Sequence, residues 1–312
     1  MCKSKKVKQK TLPDPVVTGG IGGSGTRVLF RLLKASGYYL GNDLNPAGDN
    51  LLFTLMFKRP DWYVSALKND PGKIRERLVL FHKCMTGAPP LSPEETACIF
   101  NIAHEYEFLE NGKTSLARIR DRMQGIHDKK DVKKYTGWGW KEPNAFIFLK
   151  HLSRFYPGLK YIHLIRHGLD MAFSSRNQYR FWTRFFGLDR KPGWKDIPEP
   201  AKKAEYWLRA NAYACEQGSR LLGHRFHVIR FDDLCDHPTD TIDNLLDFLG
   251  IGISHNDRQE EMYAIPRPPQ SRERYKKHDL DIFSAAEEPS SEFASRTVST
   301  ICFAPDNSDA CD

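Results

Sequence analysis

The sequence predicts an α/β protein built on a parallel sheet, and two observations predict it. Short apolar runs alternate with helix-period segments along most of the chain, the pattern of strands joined by crossover helices. The first run, Val16-Val17, opens into Thr18-Gly19-Gly20-Ile21-Gly22-Gly23-Ser24-Gly25-Thr26-Arg27, with five glycines between positions 19 and 25. Val28, Leu29, Leu32 and Leu33 then repeat with helical spacing, and Gly37 is a natural helix stop. Strand, glycine loop and helix together aim backbone N–H groups and the positive end of a helix dipole at one spot. An anion, most often a phosphate, belongs there. Five glycines exceed what an ordinary βα turn requires.

Residues 38–40 read as a short second strand, and 41–50 as a turn-rich loop. An apolar pattern resumes over 51–57, and Pro60 and Pro71-Gly72 punctuate the next stretch of chain. Helices are expected over 73–85 and 93–109, the second preceded by the capping-box pair Ser92 and Glu95. A further helix is expected to begin near Thr114 or Ser115. Residues 51–135 thus form a helical insertion on one side of the sheet, of the kind that commonly shapes a substrate cavity. Residues 135–142 read as a strand stopped by Pro143, which suits the first turn of a helix running to Phe155. Residues 160–166 form another strand, and a helix carries Ser174. The loop 179–200 holds Phe181, Trp182, Phe185, Phe186 and Trp194, read equally well as a lid or as rings packed on the domain. A long amphipathic helix over 201–222, a strand over 227–231 and a helix over 238–249 closed by Gly250 complete the pattern.

Three phosphate-loop readings compete for the glycine segment. A nucleotide triphosphatase loop needs Gly-x-x-x-x-Gly-Lys-[Ser/Thr]; Gly20 and Gly25 have the spacing, but Thr26 stands in the lysine's place. The long apolar strand downstream ends in Arg166 rather than in a magnesium-binding aspartate. A dinucleotide loop needs Gly-x-Gly-x-x-Gly, which Gly20, Gly22 and Gly25 satisfy, with Asp43 near the place of a ribose-binding acid. That reading implies an NAD(P)-dependent oxidoreductase.

The third reading is a resemblance. Ser24-Gly25-Thr26 after a strand resembles the 5′-phosphosulfate loop of sulfotransferases, which use 3′-phosphoadenosine 5′-phosphosulfate (PAPS). Downstream, Arg166-His-Gly-Leu-Asp170-Met-Ala-Phe-Ser174 resembles that family's 3′-phosphate site, with a strand-end arginine and a serine eight residues later. Arg230-Phe231-Asp232-Asp233-Leu234, Pro238 and Phe248-Leu249-Gly250 resemble its R-Y-E-D-L … P … F-L-G segment, and Trp207 and Asn211 fit its W-x-x-x-N helix. The resemblance spans residues 16–251, and more loosely extends to 283. It implies a three-layer P-loop-like fold: a central parallel sheet of about five strands, helices on both faces and the helical insertion.

The resemblance also implies roles. Amides from Gly22 to Thr26 and the hydroxyls of Ser24 and Thr26 would hold the 5′-phosphosulfate, with Arg27 adjacent. Arg166 and Ser174 would hold the 3′-phosphate, since a guanidinium forks onto phosphate and a helix-face hydroxyl adds a donor. Lys141-Glu142-Pro143 is similar to the Lys-[Asp/Thr]-Pro element of one branch, which includes tyrosylprotein sulfotransferases, where the lysine reaches the sulfate. In that branch a carboxylate after the second strand is the base. Asp43 takes that place, Asp49 is close behind, and His82 and His104 are the histidine alternatives. Arg272 and Arg274 belong to a basic cluster that would close over the 3′-phosphate. Three departures stand out: Gly23 replaces a usual Lys or Arg, His167-Gly168 replaces Asn-Pro, and Val28 replaces a tryptophan that stacks on adenine. The missing cation at Gly23 also supports a nucleotide-binding pseudoenzyme. The implied reaction is metal-free, in-line sulfuryl transfer to a hydroxyl or amine of a small-molecule, carbohydrate or peptide acceptor.

Composition sets outer limits. The chain has 312 residues and a formal charge of +8, ample for one large domain at 15–284. No nucleic-acid motif accompanies the basic balance, and an anionic nucleotide accounts for part of it. No apolar run is long enough for a membrane span. Residues 1–14 read as a basic tail without an apolar signal core, and 285–312 as a polar, flexible tail. Seven cysteines without metal or redox spacing suggest reduced thiols and a cytoplasmic location. The sequence leaves the oligomeric state open.

Overall fold

The computed structural model describes residues 12–109, 132–176, 178–252 and 257–283. The expected helix near Thr114 or Ser115, most of the N-terminal tail and the tail 285–312 lie outside these residues. Five strands form one sheet: β1 Val16–Gly20, β2 Tyr38–Tyr39, β3 Gly137–Lys141, β4 Lys160–Ile165 and β5 Phe226–Arg230. Their order is β2-β3-β1-β4-β5, and every pairing is parallel. Val16 registers with Gly139 on one side and Lys160 on the other. The chain leaves β1 to build one half of the sheet and returns past it to build the other. The carboxyl ends of β1, β3 and β4 therefore flank the point where strand order reverses, the usual place for a ligand in such a sheet.

Two apolar layers sandwich the sheet. One face carries α1 (Arg27–Ala35), α10 (Phe231–Asp236), α11 (Pro238–Leu249) and α12 (Asp257–Tyr263); Leu29, Leu32 and Leu33 meet Ile162, Leu164, Leu245 and Leu246 there. The other face carries α2 (Leu51–Phe57), α3 (Pro60–Asn69), α4 (Gly72–Thr86), α5 (Pro93–Leu109), α6 (Leu149–Phe155) and the long α9 (Glu199–Leu222). Alternation along β4 divides its side chains between the layers: Tyr161 and Ile165 face one, Ile162 and Leu164 the other. The insertion packs through rings, with Phe53 stacked on Trp140 at 5.4 Å and edge-on to Phe81 and Phe148.

Local chemistry sets the element ends. Asn50 caps α2, its side chain accepting from the Phe53 amide at 2.9 Å. The capping box before α5 is complete: the Glu95 amide donates to Ser92 Oγ, and the Ser92 amide to Glu95 Oε2. The expected helix from Pro143 to Phe155 is shorter than predicted. Ala145–Phe148 is a 3-10 turn, and α6 starts only at Leu149. The backbone before it is committed elsewhere, because the Gly20 amide donates to Pro143 O and the Glu142 amide to Thr18 O. These bonds fasten the end of β3 to the end of β1.

The aromatic loop is mostly packed rather than open. It holds a short α8 (Tyr179–Trp182), with α7 (Gly168–Ala172) just before it. Trp182 and Trp194 are buried; Phe181 is 45% exposed. The expectation of uniformly reduced thiols meets an exception at Cys215, which is disulfide-bonded; Cys84, Cys98 and Cys235 are free. No helix among the described residues is long and apolar enough to cross a membrane.

Candidate functional site

The glycine loop joins β1 to α1 at the crevice. Gly23 and Gly25 have φ of 95° and 97°, a region that side chains disfavour. A Cβ on Gly25 would lie 2.5 Å from the Phe231 ring, so the loop turns directly over that phenyl group. The turn after α7 covers the loop from the other side: Gln178 lies against Gly22, and the Arg176 backbone against Gly23. Ser24 and Thr26 are buried, and Ser24 Oγ has no hydrogen-bond partner among the described residues. Arg27 is the first residue of α1 and is exposed.

Lys141 ends β3 and is almost fully buried. Its ammonium donates to Asp49 Oδ1, in close contact, and to Ala47 O at 3.3 Å. The carboxylate is presented by a folded-back loop. Asn45 Oδ1 accepts from the amides of Ala47 and Asp49, and Asn45 Nδ2 donates to Asp49 Oδ2 at 2.8 Å, an Asx-type turn. The Asn50 amide then donates to Lys141 O at 2.8 Å, tying the loop to the strand end. Asp43 lies on the other limb, beside the Leu44–Asn50 bridge, and its carbonyl accepts from the Leu51 amide. The carboxylate seated on Lys141 is thus that of Asp49. Next to Lys141, Glu142 is wholly buried, and that burial raises its pKa, with the Asp49 charge adding and Lys58, Thr54 and Lys141 opposing.

Arg166 follows β4 and is likewise buried. Its Nη2 donates to Asp170 Oδ2 at 3.1 Å and to Ser271 O at 2.9 Å, while its Nε has no partner among the described residues. Its Cζ lies 5.3 Å from the Phe231 ring. The Trp207 indole donates to Arg166 O at 3.0 Å, Asn211 Nδ2 to Trp207 O, and His163 meets Asn211 Oδ1 at 2.9 Å. The W-x-x-x-N helix therefore fixes the end of β4. Ser174 Oγ is buried and accepts from the Arg176 amide at 3.2 Å.

The C-terminal segment returns to the same place. The Glu273 amide donates to Asp170 Oδ2, Tyr275 stacks on His167 at 4.9 Å, and His278 stacks on Phe173 at 4.1 Å. Arg274 donates to Ser271 O; its pKa is lowered by burial and by the nearby Arg166 charge. Arg272 instead faces Asp232 and Asp236, so of the two cations it is Arg274 that reaches Arg166. The histidine alternatives sit elsewhere: His82 packs on Trp138 and Tyr156 with its pKa lowered by burial, and His104 is exposed on α5.

Sequence reasoning missed Asp170, Ser271, Gln178 and Glu142 as site residues. Asp170 had a local signal, since it stands four residues after Arg166, one helical turn away. Ser271 and Gln178 had none, because each reaches the site through tertiary packing.

The fold and site together define an α/β protein that gathers a glycine loop, a buried lysine and a buried arginine at the carboxyl ends of adjacent parallel strands. A model described as "Sulfotransferase family" matches residues 15–255, and the chain belongs to that family. No curated protein matches the chain. Among solved structures, a sulfotransferase domain from the curacin biosynthetic pathway is similar at 15% identity and a TM-score of 0.42, over 93% of this chain and 97% of that one. The sulfotransferase domain of the Synechococcus PCC 7002 olefin synthase gives 17% and 0.42, over 95% and 97%. A sulfotransferase from Alicyclobacillus acidocaldarius gives 14% and 0.41, over 87% and 98%.

Proposed function

We propose that this protein transfers a sulfuryl group from PAPS to a hydroxyl or amine acceptor by metal-free in-line displacement. One observation carries the reading. Two buried donors, Ser24 Oγ and Arg166 Nε, have no partner among the described residues, and they follow the ends of the neighbouring strands β1 and β4. Buried polar groups without partners are costly, and a nucleotide bearing separate 5′ and 3′ anions would satisfy both.

PAPS supplies an activated sulfuryl group with adenosine 3′,5′-bisphosphate as leaving group. The chain supplies the rest. Ser24, Thr26 and the amides of the glycine loop bind the 5′ anion, and the dipole of α1 favours it there. Arg166, with Ser174 and Arg274 beside it, binds the 3′-phosphate. Lys141 takes the place of the cation missing at Gly23: its ammonium turns from Asp49 to the sulfuryl oxygens and neutralises charge on the leaving oxygen. That exchange frees Asp49, which is less buried than Lys141, to take the acceptor's proton. Asp43 is the alternative base.

The acceptor is a small molecule, carbohydrate or peptide. Family membership displaces the dinucleotide oxidoreductase reading.

The discriminating experiment is Lys141→Ala, assayed for transfer of labelled sulfate from PAPS and for binding of adenosine 3′,5′-bisphosphate. Turnover should fall by about 100- to 1,000-fold, the scale of removing one preorganised charge-stabilising donor, while binding changes little. Absence of turnover in the wild-type protein across acceptor classes, with the bisphosphate still bound, would mark a pseudoenzyme.

A further inference from the structure

Behind Lys141 lies an arrangement of oxygens that the transfer mechanism does not use. Thr54 Oγ1 on α2 is 2.7 Å from Glu142 Oε2 and 3.1 Å from Asn50 O. A hydroxyl carries one proton. Asn50 O is a carbonyl and only accepts, and an ionised carboxylate only accepts as well. With Glu142 ionised, three oxygens would share the single Thr54 proton. With Glu142 protonated, both contacts are satisfied: Glu142 donates to Thr54 Oγ1, and Thr54 donates to Asn50 O, the back-bond common for threonine in helices.

The surroundings favour the neutral acid. Glu142 Oε1 is buried and has no partner among the described residues, a heavy cost for a carboxylate and a smaller one for an acid. Charged and titratable groups face Glu142 from each element around it: Lys58 at the end of α2, Asp49 on the folded-back loop, Lys141 on β3 and Tyr161 on β4. Neither lysine hydrogen-bonds it. The Lys141 ammonium is on Asp49 and Ala47 O, and that of Lys58 lies 5.1 Å over the Phe181 ring. The Tyr161 hydroxyl is buried and carries no charge there, its pKa raised first by burial and then by Glu142.

We propose that Glu142 is a positioning residue that stores a proton in the resting site, donating to Thr54 and leaving Asp49 as the carboxylate on Lys141. The proton sets the local charge. Lys58 and Lys141 are cationic, Asp49 is anionic and Glu142 is neutral, so the corner keeps a net positive charge for an anionic donor. When base removes the proton to solvent, Thr54 O–H turns to Glu142, Asn50 O loses its side-chain donor, and the corner becomes neutral. The consequence for donor binding rests on the sulfotransferase reading; the proton itself does not.

The test has two arms. In infrared spectra of the whole protein, the wild type should show a buried carboxylic-acid C=O band that shifts in D2O and is absent in Glu142→Gln. Thr54→Val, which keeps the carboxyl and removes its acceptor, should move that band. In the second arm, binding of adenosine 3′,5′-bisphosphate is measured from pH 6 to 9 for wild type and Glu142→Gln. The ratio of the two affinities cancels titration of the ligand. It should be near one wherever Glu142 keeps its proton and favour the variant by about tenfold once the proton is lost, the scale of one charge several ångströms away at an effective dielectric of about 20. Identical acid bands in wild type and Glu142→Gln, or a band unmoved by Thr54→Val, would overturn the proposal. Absence of bisphosphate binding in both proteins would instead overturn the donor assignment, and the infrared arm would still decide the proton.

Discussion

Two buried cations end two strands of one sheet, and they are held in opposite ways. Lys141 is neutralised by a loop: Asp49 sits on a folded-back turn and its side chain is 20% exposed. Arg166 is neutralised by its own helix: Asp170 lies one turn on at 2% exposure, and Ser271 O closes the other side. The lysine's partner can be exchanged when an anion arrives, because an ammonium is a point charge on a flexible stem. The arginine is a rigid fork whose position is fixed from behind by Trp207 and whose Nε points at nothing among the described residues. In the proposed function, one corner serves a charge that changes during the reaction and the other a charge that stays. Phe231 ties the glycine loop to the arginine corner, lying under Gly25 and 5.3 Å from Arg166.

Acid should separate the two corners most strongly. His163 stands behind Arg166 in the Asn211–Trp207 chain, and burial lowers its pKa to about 4, with the Asn211 hydrogen bond partly opposing. The folded pKa lies below the unfolded one, so the neutral ring adds stability that is fully present above about pH 6.5. It is lost as pH falls through about 4. The contribution is of order 3 kcal/mol, at about 1.4 kcal/mol per unit. Denaturant melts of wild type and His163→Gln should converge as pH falls across that window. A constant difference between them would show that His163 does not titrate with folding.

Gly25→Ala should be milder and should loosen the link between the glycine loop and the Arg166 corner. The new Cβ meets the Phe231 ring at φ 97°, and the combined strain is about 1–3 kcal/mol. The melting temperature should drop, and nucleotide affinity should fall with it. A variant as stable as wild type would show that the loop and ring are not in contact.

The two corners were legible in the sequence to different degrees. The Arg166 corner was readable in part because two short local spacings mark it: a strand-end arginine with Ser174, and the helix-spaced Trp207 and Asn211. The Lys141 corner was readable only at the lysine. Asp43 occupies the place suggested by the resemblance, but the loop folds back through Asn45 and seats Asp49 on the ammonium. That outcome depends on side-chain bonds within the turn, to which periodicity is blind. The helix expected to begin at Pro143 failed for a related reason: its backbone groups are bonded to β1, a tertiary demand with no trace in local propensity. Glu142 looked like part of a motif phrase, and the proposal of its proton rests on the oxygens around it.

The proposed function makes Arg166 the receptor for a 3′-phosphate, and one titration decides whether it is. Adenosine 3′,5′-bisphosphate and adenosine 5′-phosphate are titrated into wild type and Arg166→Ala, with folding of the variant checked because Asp170 loses its partner. The account predicts that the substitution weakens the bisphosphate by about 100-fold, the upper range for a charge-assisted hydrogen bond, and leaves the monophosphate within about threefold. Equal loss for both ligands in a folded variant would contradict it and remove Arg166 from the 3′-phosphate site.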